Sequence, residues 1–98
     1  MHVIDIIRNK RADVYKIADR NKVDKLYVFG SCARKEETSD SDIDFLARFR
    51  KGASLFDMSA IVDELRKLFG MNVDVVSVSS LARSPRFANQ VMRDLVAI

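Results

Sequence analysis

The stretch from Leu26 to Phe49, LYVFGSCARKEETSDSDIDFLARF, constrains this chain more than any other. It opens with an apolar, β-branched and aromatic run ending at Phe29, breaks at Gly30-Ser31, crosses a charged segment and turns apolar again at Ile43. That order reads as strand, turn, strand. Gly30 can adopt backbone angles closed to other residues and lets an anion approach the main chain, while Ser31 can cap a following helical turn. Unpaired N–H groups at such a turn suit a phosphate. On the second strand, Asp42 and Asp44 stand two positions apart, so both side chains leave one face of an extended segment. Carboxylates placed in this way repel each other, and a divalent cation relieves the repulsion. Mg²⁺ is commonly held by one or two carboxylates together with substrate phosphates.

A length of 98 residues supports one domain, 1–98, with a modest core. The chain is 48% hydrophobic and 32% charged, a balance that excludes disordered and fibrous classes. No apolar run approaches the length that spans a bilayer, and Met1 to Asp5 lack the charged start and long apolar run of a signal peptide. A cytoplasmic location without membrane contact is the expectation. The lone cysteine, Cys32, has no internal disulfide partner, in keeping with a reducing compartment. A net charge of +3 is compatible with an acidic ligand and does not single out nucleic acid.

Periodicity fills in the remaining elements. Ile4, Ile7, Val14, Tyr15 and Ala18 recur at helical spacing and predict one amphipathic helix from Val3 to about Asn21. A strand follows over about Lys25 to Phe29, then a short helix over Ser31 to Lys35 and a second strand over Asp42 to Phe49. Its alternation divides Asp42, Asp44, Leu46 and Arg48 from Ile43, Phe45, Ala47 and Phe49, so the second set can pack against helices while the aspartates face a cleft. An apolar stripe predicts a helix from about Ser54 to Phe69, closed by Gly70. Asn72 to Val78 reads as a third strand with Asp74 between valines, where burial is costly unless a cation or donor meets the carboxylate. Pro85 suits the first turn of a last helix, with Phe87, Val91, Leu95 and Ile98 on its apolar side. The fold class is α/β, a small sheet of about three strands packed with helices.

Gly30-Ser31, ten residues, then Asp42-Ile43-Asp44 resembles the Gly-Ser-x10-Asp-x-Asp signature of the minimal nucleotidyltransferases, small members of the polymerase-beta-like superfamily. Phe29, Ala33, Arg34, Ser41 and Ile43 also sit where that family tends to place them, and the likeness covers nearly the whole chain. Two separated elements at a fixed distance make it far more specific than a lone glycine motif. The resemblance implies a mixed sheet and a metal site built from Asp42, Asp44 and, from a later strand, Asp74. It implies two Mg²⁺ ions and ATP as substrate, with Gly30 and Ser31 on the triphosphate, Arg34 adding charge, and Asp74 accepting the proton of the attacking hydroxyl. It further implies a protein adenylyltransferase acting as the antitoxin half of a two-component system, which transfers AMP to a tyrosine of a helical HEPN ribonuclease toxin. The family often has glycine after the Ala-Arg pair, where this chain has Lys35; a positive φ there would strain a lysine.

Two other classes compete. A binding module would neutralise its partner through its surface alone, and an enzyme of the same chemistry would transfer a nucleotide to a small molecule or RNA. For Cys32, a packed side chain is the expectation over a nucleophile, because the only histidine, His2, is remote in sequence.

Overall fold

The computed structural model describes residues 1–98. Its elements run α1 (Val3–Asn9), α2 (Arg11–Arg20), β1 (Val23–Phe29), α3 (Gly30–Ala33), β2 (Ile43–Phe49), α4 (Leu55–Phe69), β3 (Val73–Ser77), a 3₁₀ segment (Val78–Arg83), α5 (Pro85–Arg93) and β4 (Val96–Ala97). The four strands form one sheet in the order β3-β2-β1-β4. β1 pairs antiparallel with both β2 and β4, whereas β2 and β3 are parallel. A parallel pair needs a long crossover, and α4 supplies it. The sheet is therefore mixed, as the resemblance implies, with one short strand beyond the three expected.

Each face of the sheet is covered differently. Ile43, Phe45 and Ala47 join Leu26, Val28, Val73 and Val75 in the main core, packed against Ile4, Ile7, Val14 and Ile17 of α1 and α2 and against Ile61 and Leu65 of α4. On the other face Phe29 and Leu46 pack with Val91 of α5, flanked by Tyr27, Val76 and Leu81. The expected division of β2 thus holds for its core side. The aspartate side is not all cleft, because Leu46 is only 2% exposed beneath α5. At the end of that face where β2 and β3 begin, Asp44 is partly exposed and Asp74 exposed.

The first predicted helix is two helices, broken at Lys10, whose backbone lies at φ −103°, ψ 16°. Residues 8–13 offer no large apolar side chain, so nothing seats that turn on the core. α4 runs as expected, with the Ser54 hydroxyl accepting from the Phe56 N–H and Gly70 in the left-handed region at φ 63°. The last helix stops at Arg93, and Leu95 and Ile98 lie beyond it. The chain then turns into β4, where Val96 and Ala97 pair with Val28 and Tyr27. Two residues are too few for any periodicity to show. No helix is long and apolar enough to cross a membrane.

Lys35, directly after the short helix, has φ 60°. An L side chain in that region costs about 1–2 kcal/mol, partly offset by the larger freedom that glycine has in the unfolded chain. Lys35→Gly is expected to raise stability by about 0.5–1 kcal/mol, read as a higher urea midpoint at unchanged slope.

Candidate functional site

The site is assembled by register. In the antiparallel ladder Phe29 stands opposite Asp44, and in the parallel ladder Asp44 stands opposite Asp74. Side chains at paired positions share a face, so the Gly30 corner and the carboxylates of Asp44 and Asp74 follow one another across three adjacent strands. Asp42 immediately precedes β2, and the starts of β2 and β3 are tied together by the Ile43 N–H donating to the Asn72 carbonyl at 2.9 Å.

Gly30 is required by sterics as well as by turn chemistry. Its φ is +75°, and a Cβ on it would lie 2.5 Å from Asp44 Oδ2. The missing side chain leaves the space that the Asp44 carboxylate fills. α3 is capped by Phe29, without a side-chain hydrogen bond, so Ser31 sits inside the four-residue helix rather than capping it. The Ser31 carbonyl accepts from the Glu36 N–H at 2.9 Å, which folds the following loop back.

Electrostatics marks the carboxylates as a strained group. Partial burial first, then the negative charges of Asp74 and Asp42, push the Asp44 carboxyl above its usual range, with Arg34 opposing them. Asp42, Asp44 and Asp74 take part in none of the ion pairs of the molecule. Arg48, the cation on the same strand as Asp44, faces Asp24 at 3.7 Å. Three His, Cys, Asp or Glu side chains are nowhere gathered into a ready-made metal cluster. The donor chemistry nonetheless fits a divalent cation: hard oxygen ligands of one sign, with burial and then the charges of Asp74 and Asp42 disfavouring ionisation of the middle one.

Arg34 lies at the edge of this group, committed elsewhere. Its guanidinium donates to Asp94 at 2.7 Å and approaches Glu36 at 3.5 Å. Gly30, Arg34 and Asp94 line one cavity of about 450 Å³. Another, of about 460 Å³ beside α2, contains none of the candidate residues.

Two positions that periodicity could not flag help to hold the site. Asp94, at the end of α5, fixes Arg34. Glu37 pins the loop between α3 and β2 onto α1: Oε1 accepts from the Val3 N–H at 2.9 Å and Oε2 meets His2 Nδ1 at 3.0 Å. Those bonds, that of His2 first, hold the Glu37 carboxyl below its usual range. Both pairs join residues more than thirty apart, and no local pattern encodes such a partner. Cys32 is fully buried, its Sγ contacting the Asp42 carbonyl at 3.6 Å. Burial, together with nearby Glu37 and Asp44, pushes its thiol up to about 11, which suits packing and not nucleophilic chemistry.

Comparisons with known proteins give the family and the fold. The family model for polymerase beta nucleotidyltransferases matches residues 13–98. The protein adenylyltransferase MntA of Thermococcus cleftensis is 35% identical over 83 residues, covering 85% of this chain and 82% of that protein. A solved structure classed as a minimal nucleotidyltransferase superposes with a TM-score of 0.84 at 35% identity, covering 100% of this chain and 97% of the other. At 20% identity, where only the fold is shared, a TM-score of 0.67 relates the chain to a structure of the tri-AMPylated Shewanella oneidensis HEPN toxin in complex with its MNT antitoxin. That match covers 92% of this chain and 69% of that one. With the glycine corner and the aspartates on one sheet face and the family model matched from Asp13 to Ile98, this chain belongs to the polymerase beta nucleotidyltransferase family, and its chemistry is nucleotidyl transfer.

Proposed function

We propose that the chain is a Mg²⁺-dependent protein adenylyltransferase and an antitoxin, moving AMP from ATP to a tyrosine of a HEPN-type toxin. The observation that carries this reading is the row of Phe29, Asp44 and Asp74 across β1, β2 and β3, with Gly30 directly after Phe29 at the corner. Support for the acceptor comes from the adenylyltransferase relative and from the AMPylated toxin held by a chain of the same fold. In this reading residues 1–98 act as one domain in the cytoplasm.

Asp42, Asp44 and Asp74 would hold Mg²⁺. When bound, the ion supplies charge to offset the triphosphate and the negative charge that develops during transfer. Gly30 and Ser31 orient the triphosphate through main-chain N–H groups and the Ser31 hydroxyl, and Arg34 adds positive charge once it turns from Asp94. Asp74, exposed on the outer strand β3, is reachable by a protein-borne side chain. Its carboxylate accepts the phenolic proton, the tyrosine oxygen bonds to the α-phosphorus, and the bond from that phosphorus to the bridging oxygen breaks as pyrophosphate leaves.

The reading is tested by incubating the chain with ATP, Mg²⁺ and its HEPN-type helical toxin partner. One or more adenylyl masses on toxin tyrosines are expected, with loss of RNA cleavage. Neutralisation of the toxin with no added mass would establish the binding-module alternative, in which the partner is silenced by contact alone.

A further inference from the structure

At the start of α4 two large apolar side chains stand in the open. Leu55 is 84% exposed and Phe56 86%, more than any other large apolar residue beyond the terminal Met1. The helix start does not require them. Ser54 caps it, the Ser54 N–H donates to Asp57 at 2.8 Å, and Ala53 and Met58 hold the two positions whose apolar contact braces such a start. Beside them lies a groove of about 410 Å³ lined by Phe49, Ala53, Leu55 and Met58, with Ser77 and Ser79 completing it. Neighbouring apolar residues left this bare, next to a groove with apolar walls, mark a surface that another macromolecule covers.

The make-up of the patch points to a second copy of this chain. It carries a projecting ring, Phe56, and a groove directly beside it. A two-fold interface needs that combination, because each copy offers the same surface and the knob of one enters the hollow of the other. A helix of another protein lying in the groove would leave Phe56 bare. Charge does not oppose the approach of a copy: Asp57 is paired with Lys22 at 3.6 Å and Arg50 with Asp19 at 3.1 Å, so Lys51 is the only charge from Arg50 to Met58 outside an ion pair. One stray cation is too little to attract a nucleic acid. Covering Leu55 and Phe56 removes about 300 Å² of apolar surface per copy, half of the roughly 600 Å² per partner at the lower end of specific interfaces, and the groove walls supply the rest. We propose that the chain forms a two-fold dimer through this patch, with Phe56 of each copy seated in the groove of the other. Phe49 stands at the far end of β2, about 17 Å along the strand from Asp44, so both carboxylate rows stay open in the dimer.

The test is the mass of the intact chain by sedimentation across about 5 to 500 µM, the range in which an interface of this size dissociates. The parent is expected to pass from monomer towards dimer. Phe56→Glu removes the knob and Ser79→Arg obstructs the groove; each should raise the dimer dissociation constant about tenfold or more, with the melting temperature unchanged because both positions are exposed. Met92→Glu, at another exposed apolar position on α5, should leave the dimer as it is. Mixing the Phe56→Glu and Ser79→Arg chains should restore part of the association, since that pair retains one whole knob and one open groove. A parent that stays monomeric throughout, a Phe56→Glu chain that dimerises like the parent, or a mixture that recovers nothing would each overturn the proposal. A monomeric parent whose binding to the HEPN-type toxin is lost in Phe56→Glu would overturn it as well and assign the patch to the toxin.

Discussion

Replacing Asp42 and Asp44 together by asparagine is expected to lower adenylyl transfer by about a thousandfold or more, since charge stabilisation at such a site is worth several kcal/mol. Asparagine keeps the shape of each side chain and removes two of three neighbouring negative charges. The fold should not suffer. Asp44 has a folded-state carboxyl raised above its usual value by burial and by Asp74 and Asp42, so the native chain binds that proton more tightly than the unfolded one. Without divalent cation, stability is therefore fullest below the ordinary carboxylate value and falls as pH rises through it to the raised one. The asparagine variant escapes this loss. In chelator at neutral pH it should melt no lower than the parent, and any advantage should vanish in acid. A thermal melt across pH, run beside the transfer assay, separates lost chemistry from lost structure.

Gly30→Ala is the second large effect, and it works by displacement. The new Cβ would lie 2.5 Å from Asp44 Oδ2, closer than such atoms approach, and the backbone there has φ +75°. The left-handed backbone costs a non-glycine residue about 1–2 kcal/mol, seen as a lower melting temperature. The heavier cost falls on geometry: the Asp44 carboxylate must swing away from the Gly30 corner, and a shift of about 1 Å in a positioned group lowers rate on the order of a hundredfold. In an Asp44→Ala background the same glycine substitution should lose only the backbone part, because the atom it strikes is gone. A double-mutant cycle on stability and on transfer reads the difference.

How far the sequence foretold this site follows from what each residue depends on. The glycine corner and the Asp-x-Asp strand were legible because their requirements are local: a backbone break after an apolar run and two carboxylates at the strand period. Asp74 was legible as a charge inside a valine strand, but its place beside Asp44 depends on β2 and β3 being parallel neighbours in register, which periodicity does not encode. The split at Lys10 follows from missing apolar contacts across residues 8–13, a gap visible only once the core is assembled. β4 is two residues long, and Leu46 was set on the open side because alternation cannot see that α5 returns to cover it. The charge that Arg34 is expected to add at the triphosphate is engaged by Asp94, which lies sixty residues away and which no local pattern points to. Lys35 was foreseen as strained if φ were positive, and φ is 60°.

The claim on which these expectations converge is that the carboxylates beside Gly30 act together on a metal-bound nucleotide. Its most direct test is the Mg²⁺ dependence of ATP affinity, titrated calorimetrically for the parent and for Asp42→Asn/Asp44→Asn. The parent should bind ATP at least about tenfold more tightly with Mg²⁺ than in chelator, a coupling of about 1.4 kcal/mol or more, and the variant should show no such gain. An ATP affinity in the parent that is the same with and without Mg²⁺ would contradict it.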